Sequence, residues 1–111
     1  MDILISAYGE IASLVLENVK TYFSQEFSDK EFTWKRSGPI LTTSLDTGEN
    51  EITKVFEELV GKYPELDVSA SYSYDVREDD RSAQWWGTTR IYSEEQDGET
   101  KIVSSSSTYW N

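Results

Sequence analysis

Cysteine and histidine are both absent from the 111-residue chain. Their absence excludes disulfides and thiolate metal sites, and removes the commonest general base, strong nucleophile and transition-metal ligand. Carboxylate, tyrosine, lysine and serine remain. The serines stand in neither of the contexts that activate them, a Ser-x-x-Lys pair or a Gly-x-Ser-x-Gly elbow. No phosphate-cradling glycine loop is present, and neither DTGENE (46–51) nor REDD (77–80) has the Asp spacing and closing Glu of a calcium loop. Neighbouring carboxylates such as Glu57-Glu58 are what a strongly acidic chain produces unaided, whereas a glycosidase or magnesium site needs them to converge from separate strands. The residues point away from an enzyme and to no metal or cofactor.

Long apolar runs are lacking as well. None approaches the roughly 18 residues that span a bilayer, and MDILISAYGEIASLVLENVK (1–20) has no signal-like apolar stretch. The expectation is a soluble, cytoplasmic chain. Basic residues are scarce: 10 against 21 acidic ones give a net charge of −11 and a pI near 4.3. Phosphates are repelled over the whole surface, which argues against anionic membranes and against direct nucleic-acid binding. An RNA-reading sheet would also need stacking aromatics flanked by Lys or Arg, and no such string occurs. Solubility explains the charge as readily as a functional use does.

Aromatic residues, by contrast, are plentiful: four Trp, seven Tyr and four Phe in a chain that is 37% hydrophobic. That much apolar area belongs to a folded chain, and the length fits one domain, 1–111, burying about two-thirds of its unfolded surface. DILISA (2–7) reads as a strand with Ile3 and Ile5 on one face. After Gly9, residues Ile11, Leu14, Val15, Val19, Tyr22 and Phe23 make a helical stripe. EFTWKR (31–36) and ILTTSLD (40–46) read as strands around the SGP turn. Ile52, Val55, Phe56, Leu59, Val60 and Tyr63 repeat at helical spacing, with Asp46 and Glu49 in a box-like cap before them and Gly61 and Pro64 ending the helix. ELDVSASYSYDVRED (65–79) then alternates cleanly. Leu66, Val68, Ala70, Tyr72, Tyr74 and Val76 take one side; Asp67, Ser69, Ser71, Ser73, Asp75 and Arg77 take the other.

A turn-rich acidic stretch, 77–84, follows, then the strand WWGTTRIYS (85–93), a tip at 94–99 containing Asp97-Gly98, and TKIVSSSSTYW (100–110). The four serines fit either a serine-lined strand or a linker, and the flanking Ile102, Val103, Tyr109 and Trp110 favour the strand. The order is α+β: a ferredoxin-like β-α-β-β-α-β antiparallel sheet, two helices on one face and an added C-terminal hairpin. The expected core includes Ile11, Leu14, Val15, Phe56, Leu59, Val68 and Tyr72. The sheet's other face, lined with small serines, is left to solvent or a partner.

Adjacent Trp85 and Trp86 cannot both enter the core of a regular strand. The outward one is either covered by a bulge, an edge contact or Trp110, or anchors an interface. Arg90 and Tyr92 share the phase of Trp86, and Trp, Tyr and Arg dominate binding hot spots. Around them the sequence sets Glu78, Asp79, Asp80, Glu94, Glu95 and Asp97 as an acidic ring suited to a basic groove. GKYPELDVSASYSYD (61–75), followed by Trp86-Gly87, resembles the second half of the YubB-type ferredoxin-like domains of plasmids and phages, over roughly residues 50–90. The family's amino-terminal Trp- and Asn-containing motif and its Trp-Pro-Pro stretch are absent, so no functional residue carries over. The resemblance implies a mobile-element accessory protein, similar in character to acidic anti-CRISPR and anti-restriction inhibitors, some of them nucleic-acid mimics. The expected partner is a basic, nucleic-acid-handling protein. The alternatives are an immunity protein for a toxin nuclease, and a carboxylate-based enzyme or small-ligand binder on the open sheet face.

Overall fold

Four buried side chains in one cross-strand row, Leu41, Ile5, Val68 and Ile91, mark the centre of the core. The computed structural model describes residues 1–10, 12–78 and 81–110, and at 49, 74–78, 81–85, 109 and 110 it describes the backbone alone. The elements are β1 (Asp2–Ala7), α1 (Ala12–Glu26), β2 (Lys35–Ser37), β3 (Ile40–Ser44), α2 (Glu49–Lys62), β4 (Leu66–Glu78), β5 (Arg81–Gln96) and β6 (Glu99–Trp110). The strands form one open sheet in the order β2-β3-β1-β4-β5-β6, every adjacent pair antiparallel. The fold is α+β.

Period decides which face is buried. β1 turns Ile3, Ile5 and Ala7 into the core, and β4 turns Leu66, Val68 and Ala70 the same way. α1 lays Val15, Leu16, Val19 and Phe23 over them, and α2 adds Ile52, Phe56, Leu59 and Val60. The helices lie side by side, with the Tyr22 hydroxyl donating to the Glu58 carboxylate. Each of these large side chains stabilises the fold by about 1.5–3 kcal/mol through burial.

The helices are shorter than the sheet they cover. α2 has 14 residues and is about 21 Å long, whereas β4 and β5, with 13 and 16 residues, run for roughly 43 and 53 Å. The long ribbon of β4, β5 and β6 therefore projects beyond the two-layered half. A radius of gyration of 15.4 Å, against roughly 13 Å for a compact chain of this length, records the same elongation.

Several expectations need correction. Leu14 is 61% exposed, because the buried stripe of α1 runs through Leu16 instead; Ile11 lies outside the described residues. Val15, Phe56, Leu59 and Val68 are buried, and Tyr72 is half-buried. The strand expected at 31–36 shrinks to Lys35–Ser37, since Phe32 and Trp34 pack edge-on against Phe23 at 5.9 and 5.5 Å instead of pairing. α2 starts beyond the expected Asp46 cap: the N-cap is Gly48, which has no side-chain cap, and Thr47 Oγ1 donates to Glu51 Oε2 at 2.7 Å. Gly61 stays helical, and α2 ends at Tyr63, whose N–H bonds Leu59 O. The supposed turn at 77–84 is mostly strand, with Glu78 paired to Arg81 and Asp79 and Asp80 outside the described residues. The tip narrows to Asp97-Gly98, whose positive φ values of 54° and 78° are those of a two-residue hairpin turn matched to strand twist.

Candidate interaction surface

Strand alternation leaves one sheet face without helices, and the pairing register lines it up in rows. Lys35, Thr42, Leu4, Ser69, Arg90 and Ser105 cross all six strands in one row. Beside it run Ser44, Asp2, Ser71, Thr88 and Ser107, then Ser73, Trp86 and Tyr109. The face is dominated by hydroxyls. Thr88 and Ser107 are hydrogen-bonded at 3.1 Å, and Ser44 donates to Asp2 at 2.9 Å. Between β2 and β5 the face holds a depression of about 670 Å³, lined by residues that include Leu4, Thr42, Ser69, Ser71, Thr88, Glu31 and Lys35.

Trp86 is on this face and is 38% exposed. Arg90 and Tyr92 are on it too, as their shared phase requires. Arg90 is held twice over. Its Nε and Nη2 donate to Asp67 Oδ1 and Oδ2 at 3.0 and 2.6 Å, and its guanidinium sits 4.3 Å from the Tyr92 ring centroid. The hydrogen bonds to Asp67, and then that carboxylate's charge, push the Arg90 pKa above its ordinary value. A fork-to-fork pair of this kind fixes the guanidinium plane and presents a rigid edge.

Asp67 is the residue the sequence reading missed. Alternation sets it on the polar face, but its bond to Arg90 is a diagonal cross-strand contact, and a diagonal is set by register between strands. Alternation already sets Ser69 and Ser71 on the open face; what it leaves out is the share of the depression lined by Glu31 and Thr33 from the segment before β2.

Glu94, Glu95 and Asp97 are exposed near one end of β5, and the backbone of Glu78 lies opposite Arg81 at the other. The 13 residues from Arg81 to Ser93 put roughly 43 Å between those ends. Glu94, Glu95 and Asp97 follow Trp86, Arg90 and Tyr92 along the same strand. Asp79 and Asp80 lie outside the described residues. Among the described residues no cluster of three acidic groups is placed to hold a metal ion, and no helix is long and apolar enough to cross a membrane. Family models and curated proteins offer no match to this sequence.

Proposed function

We propose that the protein is a non-enzymatic inhibitor that docks its helix-free face on a basic, nucleic-acid-handling protein, in the manner of an anti-CRISPR or anti-restriction factor. The supporting observation is the exposed Trp86 on the same face as the Asp67-clamped Arg90 and Tyr92, in a chain of net charge −11. An aromatic anchor beside a rigid cation supplies specificity, and the net negative charge, with Glu94, Glu95 and Asp97 beyond Tyr92, steers a basic groove onto it. An immunity protein against a toxin nuclease would use the same surface. As part of this reading, the run from β1 to β4 is taken as a ferredoxin-like unit related to YubB-type domains, extended by β5 and β6. The antiparallel order β2-β3-β1-β4 with two helices between strands supports it.

A second reading, small-ligand binding in the hydroxyl-lined depression, is favoured by its volume, which lies within the range of ligand pockets. Competition separates the two. With a captured basic target, the protein and the target's nucleic acid should exclude one another in a three-component gel shift. Trp86→Ala should weaken binding by about 2 kcal/mol with the fold intact. Simultaneous binding of protein and nucleic acid would instead leave the depression as the working surface.

A further inference from the structure

The two edges of the sheet differ. At one edge, β2 is three residues long and carries Lys35 and Arg36, the short, charged kind of strand that resists pairing. At the other, β6 has 12 residues and pairs with β5 on one side only. Residues 99–110 contain no proline and no glycine, and the register from Gln96↔Glu99 to Trp85↔Trp110 advances one residue at a time without a bulge. Serines 104–107 are exposed. The usual devices that blunt an edge are missing along most of this strand.

We propose that β6 is the interface of a homodimer, in which two copies pair β6 against β6 antiparallel about a twofold axis normal to the sheet. Charge selects the occupant. The chain carries −11, yet no charged residue occurs from Ile102 to Trp110. This neutral edge lets two copies approach without placing like charges in contact. The small serine side chains on both faces set no steric demand on the register, and opposed hydroxyls can hydrogen-bond across the strands. Pairing over 102–110 would form about nine backbone hydrogen bonds, roughly one per residue, which is the number in an ordinary protein interface. The result is a continuous twelve-stranded sheet with the helices of each copy on a covered layer and Trp86 left available.

Sedimentation and amide hydrogen exchange test this directly on the full chain. The mass should rise from 12.8 kDa towards twice that value with concentration, and amides of 102–108 should gain protection in step with it. Ser104→Glu with Ser106→Glu should abolish the dimer while leaving the circular dichroism spectrum and melting temperature close to those of the parent. Ser69→Glu on the open face should leave the dimer intact. Added salt should strengthen self-association several-fold by screening the net repulsion, the opposite of its effect on capture of a basic target, so failure of one reading is distinguishable from failure of the other. A chain that stays monomeric at millimolar concentration, or a dimer that survives the double glutamate substitution, overturns the proposal. So does a β6 protected only when an extended peptide is added, which would make the edge a site of strand capture.

Discussion

Gly87 is under the ring of Tyr72, its cross-strand partner, and a Cβ there would fall inside the ring's van der Waals envelope. The glycine is needed for space, since an aromatic laid over a strand glycine covers backbone that no side chain protects. Gly87→Ala should destabilise the protein by about 1–3 kcal/mol as the ring is displaced. In a Tyr72→Ala background the same change should cost much less, and denaturant melts of the double-mutant cycle would read the coupling. Equal costs in both backgrounds would refute the packing argument. Tyr22 offers a second test. Burial, followed by the hydrogen bond to Glu58, raises its pKa above the ordinary value near 10. A raised folded-state pKa means that the unfolded chain loses its proton first, so the contribution is complete below pH 10 and is lost as the pH climbs beyond it. Alkaline melts should therefore show stability falling above pH 10, with Tyr22→Phe flattening that fall.

At the scale of elements, α2 begins without a side-chain cap at Gly48, whose φ and ψ of −79° and 152° suit any capping residue. Gly48→Asp should accept a hydrogen bond from the first turn and favour the positive end of the helix dipole, raising stability by a few tenths to about 1 kcal/mol. An unchanged melting temperature would show that Thr47 and Glu51 already satisfy this end. Elements with strong periodicity were legible from the sequence. β1, α2 and the first half of β4 follow from Ile3/Ile5, from Ile52 to Val60, and from Leu66 to Ala70, because each pattern admits one buried face. The buried stripe of α1 is slightly rotated from the one its spacing suggests, since Leu14 and Leu16 are equally apolar and only the packed sheet chooses between them. The 77–84 stretch misled because its charges mimic a turn, although Val76 and Ala83 keep the alternation and the pairing of β4 with β5 continues through them. At the surface, Trp86, Arg90 and Tyr92 could be grouped by phase along one strand. Asp67 could not, because contacts between strands depend on register.

For the whole molecule, charge and shape combine. A body 53 Å long with a net charge of −11 carries exposed Glu94, Glu95 and Asp97 beyond Tyr92, and such charges act on another molecule over about a Debye length. If the proposed partner is basic, its association rate should fall about ten-fold or more between low and physiological salt while dissociation changes little. Stopped-flow measurements with the parent and with Trp86→Ala would assign the on-rate to charge and the off-rate to the anchor. A salt-independent on-rate would remove electrostatic steering from the mechanism. The sheet order also bears on how the chain is made. β1 occupies an interior position, yet its partners β3 and β4 begin only at residues 40 and 66. At ribosomal speeds of about 5–20 residues per second, β1 waits roughly 3–12 s for its second neighbour. The meander of β4, β5 and β6 has no such delay, because its partners are consecutive and its turns short. Ile3 and Ile5 therefore meet β3 first and stay open on the β4 side until residues 66–71 are made, after which β5 and β6 add outwards in chain order.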